Sequence, residues 1–277
     1  MTRAECCSVG CAVPDLTQYT WIVVNSSGGK DSQTALRCVV QECLRQGVDT
    51  SRVVVSHQCL GRMEWKGTLE LVYKQAEHYG LRCVVSKYRD KEGNEKTLLD
   101  YARRRGKWPS NQQRWCTSDF KRGPGKRVLT ALGREAPGNI IQVFGFRSEE
   151  SPARAKKEVL KRNALCSTKS REVWDWCPIL DWKEDAVWRD IRESGVPYHP
   201  AYDLGMTRLS CALCIFAPKA ALMIAGRANP ELLDEYCEVE KEIGHTFQNG
   251  RAIAEIRDAI AAGESVDATE LNNQWNM

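Results

Sequence analysis

The chain has 277 residues, an apolar fraction of 42% and a formal net charge of +4 at pH 7. This length predicts one large domain or a domain with an appended subdomain, and the composition suffices for a packed core. The mild positive charge does not by itself require nucleic acid. No stretch is long and apolar enough to cross a bilayer, and the start lacks a signal peptide's hydrophobic segment, so we expect a cytoplasmic protein with no membrane partner.

The first part of the chain alternates strands and helices. Apolar runs predict strands at residues 21–24, 53–55, 81–85 and 140–144. Helical spacing covers residues 32–46 and about 67–79, and a glycine follows each of these segments. The alternation predicts an α/β fold with a doubly wound parallel sheet, in which a nucleotide would bind at the carboxyl ends of the strands.

Beyond Trp174 the pattern becomes mainly helical. Asp181 and Glu184 predict a helix cap and first turn, and Gly195 ends that helix. A charged helix follows Asn229-Pro230. We therefore expect three regions: an irregular segment 1–16, a nucleotide-binding domain 17–175, and a smaller, mostly helical C-terminal region 176–277.

A turn of small residues directly follows the first predicted strand: Ser26-Ser27-Gly28-Gly29-Lys30-Asp31-Ser32. Its glycines let backbone N–H groups approach an anion, a helix beginning near Asp31 adds a positive dipole, and Lys30 can neutralise phosphate charge. A Walker A loop is excluded, because its first glycine would fall at Val24 and Asp31 follows the lysine. The turn thus predicts phosphate binding, with a ligand-free glycine turn as the alternative.

A second candidate phosphate contact follows the strand at 140–144, in Gly145-Phe146-Arg147-Ser148-Glu149-Glu150-Ser151. It places Arg147 and Arg154 near the sheet edge, where arginine can hold a phosphate through two N–H groups. The alternative is the capped start of a surface helix.

Thirteen cysteines are many for this length, but their odd number and the lack of a secretion signal argue against a disulfide framework. The pair in Cys211-Ala212-Leu213-Cys214 can serve zinc, an iron–sulfur cluster or thiol exchange, and its spacing does not choose among them. Unliganded thiols are the alternative. For Cys6, Cys7 and Cys11, a sulfur-accepting tail, a metal site and plain disorder all stay open.

A basic stretch with interleaved Trp108 and Trp115 lies between Tyr101 and Arg127. Such a mixture can bind nucleic acid through phosphate pairing and base stacking. A solvated basic loop is an equal alternative.

Five motifs in order resemble the PAPS reductase/DndC-like ATP pyrophosphatase family of the adenine nucleotide alpha-hydrolase superfamily. They are S-G-G-K-D-S, H-Q-C-L-G-R-M-E-W-K-G-T, R-W-C-T, G-F-R-S-E-E-S and R-L-S-C-A-L-C. Within that family the chain is similar to the DndC and SspD type of DNA phosphorothioation. The resemblance implies a HUP-like fold that binds ATP and Mg²⁺, cleaves ATP at the α-phosphate and adenylates an acceptor for sulfur incorporation.

The resemblance also implies site residues. It gives catalytic roles to Lys30, Asp31, Arg147 and Glu150. Nucleotide contacts are implied for Ser26, Ser27, Gly28, Gly29, Lys30, Asp31, Ser32, Gly145, Arg147, Ser151 and Arg154. A [4Fe–4S] cluster is implied on Cys116, Cys211 and Cys214, with Cys177 and Cys237 open as a fourth ligand. The implied partners are a nucleic-acid acceptor, most of all DNA, a cysteine desulfurase or other sulfur donor, and other proteins of a modification pathway.

Two other functions compete with this interpretation. A PAPS or APS reductase forms a sulfite adduct on a cysteine near its C-terminus, and we expect this chemistry to be disfavoured because Cys237 is the last cysteine here. The non-enzymatic alternative is a subunit that binds nucleotide and nucleic acid or a protein partner without turnover. DNA, tRNA and a small molecule all stay open as the sulfur acceptor.

Overall fold

The computed structural model describes residues 13–271. Cys6, Cys7 and Cys11 lie outside the described residues. The strands are β1 (Trp21–Asn25), β2 (Val53–Gln58), β3 (Arg82–Ser86), β4 (Ile140–Phe144), β5 (Leu160–Arg162) and β6 (Val173–Trp176). The helices are α1 (Lys30–Gln46), α2 (Thr68–His78), α3 (Leu98–Arg105), α4 (Trp115–Thr117), α5 (Gly123–Glu135), α6 (Pro152–Ala155), α7 (Glu184–Ser194), α8 (Lys219–Ala228), α9 (Pro230–Ile243), α10 (Ile253–Ala261) and α11 (Ala268–Leu271).

The six strands form one sheet in the order β3-β2-β1-β4-β6-β5. Strand β1 pairs in parallel with β2 and β4, and β4 pairs in parallel with β6, whereas β5 is antiparallel to β6. The predicted α/β class is therefore confirmed. The strand order reverses between β1 and β4, and the carboxyl ends of strands at such a switch point form the usual ligand crevice of an open α/β sheet.

Both faces of this sheet are covered by helices. On one face Ile22 and Val24 of β1 pack in a buried cluster with Leu36 of α1. On the other face Trp21 and Val23 pack in a second buried cluster that includes Leu129 and Leu132 of α5. Alternate residues of β1 are thus buried on opposite faces, which explains why the strand is a continuous apolar run.

The described chain divides into two compact units. The first comprises residues 13–57, 69–86 and 125–198, and the second comprises residues 58–68, 87–124 and 199–271. The predicted boundaries at residues 16/17 and 175/176 stay predictions. No helix within residues 13–271 is both long and apolar enough to cross a membrane.

The second unit has its own aromatic core. The Trp108 ring stacks on Tyr236 with a centroid separation of 5.4 Å, and Phe247 meets Trp108 edge-on at 5.2 Å. Trp108 and Trp115 are only 2% and 4% exposed. The prediction that these tryptophans offer stacking faces to nucleic-acid bases is therefore wrong, because the protein core already covers them.

In the first unit, helix α7 is fixed against α1. Ile191 and Val187 pack in one buried cluster with Cys38, and Arg37 Nη1 lies 3.0 Å from Asp190 Oδ1. Helix α7 begins at Glu184 after Lys183, so Asp181 is not its N-cap as predicted. Burial raises the pKa of Asp190 to about 6, while Arg37 acts in the opposite direction.

This pKa makes stability depend on pH. Because the folded-state pKa of Asp190 lies above its ordinary value of 3.8, the native state binds more protons than the unfolded state between about pH 4 and 6. The stability that this extra proton binding by native Asp190 provides is present below about pH 4 and is lost as pH rises to about 6. We predict that the free energy of unfolding of Asp190→Asn rises relative to wild type by about 2–3 kcal/mol between pH 4 and 7 in urea titrations. The exposed Asp185→Asn is the control, and a pH-independent difference for Asp190→Asn would contradict the prediction.

Candidate functional site

The turn after β1 is an array of backbone N–H groups held by serine hydroxyls. The N–H groups of Ser27 and Gly28 donate to Ser32 Oγ and Ser26 Oγ at 3.2 Å, and the Gly29 N–H donates to Ser27 Oγ at 3.4 Å. Gly28 has φ = 73°, which favours glycine. These long bonds to neutral hydroxyls are weaker than bonds to an ionised phosphate oxygen, so an anion can replace them.

The turn after β4 passes very close to the start of α1. A Cβ placed on Gly145 would lie 2.4 Å from the carbonyl oxygen of Asp31 and 2.7 Å from the Ser32 nitrogen. Only glycine allows this approach of two backbones. Gly145 therefore acts by bringing Arg147 to the first turn of α1.

Two buried cations meet at this point. Lys30 and Arg147 are 1% and 3% exposed. Asp31 joins them, since its Oδ2 lies 3.5 Å from Lys30 Nζ and its Oδ1 accepts a 2.5 Å hydrogen bond from Arg147 Nε. The structure thus brings together three of the four residues that were predicted to be catalytic.

Two further carboxylates reach the same cations. Glu184, the first residue of α7, places Oε1 3.4 Å from Lys30 Nζ and Oε2 3.9 Å from Arg147 Nη2. Glu149 accepts a hydrogen bond from Arg147 Nη1. Neither was predicted as a site residue. The sequence placed Glu184 only in a helix start, and the signal that could have found Glu149 was its place in the G-F-R-S-E-E-S motif.

Glu150 has different partners. Its Oε2 accepts the Arg147 backbone N–H at 2.9 Å and also pairs with Arg154. Ser151 caps α6 by accepting the Arg154 N–H at 3.3 Å. In this arrangement Glu150 orders the turn that carries Arg147, and its predicted catalytic role stays a prediction.

Three half-buried thiols lie in the second unit. Cys116 belongs to α4, Cys211 forms an isolated antiparallel bridge with Glu64, and the sulfur of Cys214 accepts the Phe216 backbone N–H. Burial raises the pKa of Cys211 to about 12, and the nearby cation Lys121 opposes this rise. Cys116 and Cys214 interact electrostatically, so these two thiols lie near each other. The implied role of the three cysteines as cluster ligands stays a prediction.

Lys121 interacts with all three thiols. Its side chain as a whole is exposed to solvent. Burial lowers its pKa, but Cys211, Cys214 and Glu64 raise it, and the pKa ends above its usual value. Three soft sulfur donors beside a cation and a backbone N–H donor fit an anionic iron–sulfur cluster.

The two candidates for a fourth ligand, Cys237 and Cys177, stay predictions. Cys237 is buried, and burial raises its pKa to about 11. It belongs to the buried cluster against which Cys116, Cys211 and Cys214 pack. Cys177 is buried in the first unit, where Lys157 and Asp175 act on its thiol.

The phosphoadenosine phosphosulfate reductase domain family matches residues 21–217. The chain belongs to this family. The matched range contains the turn after β1, the turn after β4 and the C-x-x-C pair. The PAPS reductase part of the predicted family is confirmed, and the DndC and SspD type stays a prediction.

Several curated proteins are similar over part of their length. An uncharacterized protein of Methanocaldococcus jannaschii is 29% identical over 219 residues, which cover 79% of this chain and 47% of that protein. Adenosine 5′-phosphosulfate reductases of Allochromatium vinosum and Lysinibacillus sphaericus are 30% and 27% identical, covering 53% and 55% of this chain and 52% and 58% of theirs. The chain spans about half the length of these relatives.

Two solved structures show a weak overall likeness. The PAPS reductase of Candida auris, in a phosphate complex, aligns with a TM-score of 0.45 and 19% identity over 72% of this chain and 82% of its own. The U34-tRNA thiolase NcsA of Methanococcus maripaludis, solved with its [4Fe–4S] cluster, aligns with a TM-score of 0.45 and 14% identity over 92% of this chain and 76% of its own. At these TM-scores neither likeness assigns a function to this chain.

The close approach at Gly145 can be tested by substitution. Gly145→Ala forces two backbones apart, so we predict a loss of about 1–3 kcal/mol in the free energy of unfolding in urea titrations. Gly123→Ala is the matched control, because its Cβ would make only an ordinary 3.5 Å contact with the Ser118 carbonyl oxygen. Equal stability of the two variants would contradict the prediction.

Proposed function

We propose that the chain cleaves ATP at its α-phosphate and activates an acceptor for sulfur incorporation, with the DNA backbone as acceptor, as in the DndC and SspD type. The observation that carries the proposal is the meeting of Lys30 and Arg147 beside the glycine turn, at the carboxyl ends of β1 and β4. Two cations and a row of N–H groups in one place suit a phosphate chain. Family membership supports an adenine nucleotide as the ligand and sulfur metabolism as the setting.

In the proposed reaction an acceptor oxygen attacks the α-phosphorus and the bond to the bridging oxygen of the β-phosphate breaks. Pyrophosphate leaves, and the acceptor carries AMP. Sulfide then attacks the activated atom of the acceptor, and AMP leaves with the former acceptor oxygen. Lys30 and Arg147 stabilise the charge that develops on the phosphate oxygens. The N–H groups of Gly28 and Gly29 hold the triphosphate of ATP in place. Catalysis then comes from positioning and charge stabilisation.

Mg²⁺ prefers carboxylate oxygens, and the carboxylates at the two cations offer such ligands. Asp31 would hold the ion, and Glu184 is a second candidate ligand because both carboxylates contact Lys30. Glu150 is the second predicted holder, although Arg154 already neutralises it. The ion would supply charge neutralisation of the phosphate chain.

In the second unit, Cys116, Cys211 and Cys214 would hold a [4Fe–4S] cluster. When bound, such a cluster would supply an iron coordination position for sulfide, the nucleophile that the sulfur-insertion step needs. Lys121 supports this role by placing positive charge beside the thiolates.

A second candidate function is reduction of a sulfonucleotide, because several relatives are named adenosine 5′-phosphosulfate reductases. That reaction needs a nucleophilic thiolate. Burial raises the pKa of Cys237 to about 11, which makes it a poor nucleophile at neutral pH. Cys237 is therefore a poor candidate for that nucleophile.

Product analysis tests the nucleotide chemistry. With Mg²⁺ and ATP, and with DNA and a sulfur donor added in turn, we expect AMP and pyrophosphate, and we expect Lys30→Ala to lower their rate at least about 100-fold because a phosphate-stabilising charge is lost. The exposed Lys156→Ala is the matched control. Sulfite from APS or PAPS would favour the reductase, and tight ATP binding with no turnover would favour the non-enzymatic subunit.

Anaerobic purification tests the thiols. We expect about four iron and four sulfide ions per wild-type chain, with the visible absorption of a [4Fe–4S] cluster. Cys211→Ser should lose most of both, because it removes one of three thiolate ligands, whereas Cys166→Ser should keep them. Iron-free wild-type protein with full activity would contradict the cluster.

A further inference from the structure

Glu184, like Asp31, faces both cations of the site. The two oxygens of Glu184 are divided between them, at 3.4 Å from Lys30 Nζ and 3.9 Å from Arg147 Nη2. A phosphate group that bridged the same cations would use two of its oxygens in the same way. Glu184 and a bound phosphate therefore compete for the same positive charge.

The charges around the cations are already balanced. Asp31, Glu149 and Glu184 face Lys30 and Arg147, and Lys183 lies 3.6 Å from Glu149. A phosphate chain brings several negative charges into this balanced group. It binds well only if a carboxylate withdraws or a divalent cation accompanies it, because like charges at close range repel.

Among these carboxylates, Glu184 is the one most able to withdraw. Its side chain is 46% exposed, against 17% for Asp31 and 30% for Glu149. Its contacts are also longer than the 2.5 Å hydrogen bond between Asp31 and Arg147. Because Glu184 is the first residue of α7, its side chain can turn toward solvent while the helix stays packed on α1.

We propose that Glu184 is a specificity-determining residue that makes phosphate binding at the turn after β1 depend on a divalent cation. Without a divalent metal ion, Glu184 repels a free polyphosphate from Lys30 and Arg147. When a divalent cation is bound, it compensates the negative charge of Glu184, and the polyphosphate binds together with the metal ion. This role rests on the proposed function, since it presumes that the two cations bind phosphate.

The test compares binding with and without the metal. Calorimetric titration with inorganic pyrophosphate and with a non-cleavable α,β-methylene analogue of ATP is done once in EDTA and once in excess Mg²⁺. For wild type we expect Mg²⁺ to tighten binding strongly. For Glu184→Gln we expect metal-free binding to tighten about tenfold, which is ~1.4 kcal/mol, so that the Mg²⁺ dependence falls.

Asp185→Asn is the matched control, because it removes the same charge from the neighbouring residue. The Asp185 side chain is 75% exposed and pairs with Arg189. This variant should keep the wild-type Mg²⁺ dependence. Glu184→Ala should behave like Glu184→Gln, which guards against an effect of the amide itself.

Unchanged or weaker metal-free binding by both Glu184 variants would overturn the inference. A tightening of equal size in Asp185→Asn would also overturn it, because the effect would then be general electrostatics. A different result would be that wild type and Lys30→Ala bind pyrophosphate and the ATP analogue with the same affinity. That result would refute phosphate binding at this site, and with it the proposed function.

Discussion

The ion pair between Arg147 and Asp31 is the contact on which the site depends. It joins the turn after β4 to the first turn of α1, and it forms because Gly145 lets the two backbones come within contact distance. A buried arginine is strongly destabilising without a partner. The ion pair with Asp31 that stabilises the buried Arg147 therefore also fixes the position of its guanidinium beside Lys30.

The sequence predicted the framework well because its signals are local. The strand at Ile140–Phe144 has the predicted bounds, and α1 ends before Gly47, whose φ of 67° only glycine adopts readily. Strands β5 and β6 were not predicted, since the first has three residues and the second mixes Asp175 with aromatic residues. Such short segments become strands only through their partners in the sheet.

The acidic part of the site could not be predicted in the same way. Glu184 is far from Lys30 in sequence, and its approach depends on the packing of α7 against α1 through Val187, Ile191 and the Arg37–Asp190 pair. The opposite error occurred for Trp108, whose place in a basic stretch suggested an exposed surface. Its burial depends on Tyr236 and Phe247, which no local pattern connects to it.

The central claim is that Lys30 and Arg147 together bind the α-phosphate of an adenine nucleotide. The most direct measurement is a crystal structure of the protein with Mg²⁺ and a non-cleavable ATP analogue. The account predicts phosphate oxygens within hydrogen-bonding distance of Lys30 Nζ and the Arg147 guanidinium, near the N–H groups of Gly28 and Gly29. A nucleotide bound elsewhere, with both cations still held only by carboxylates, would contradict it.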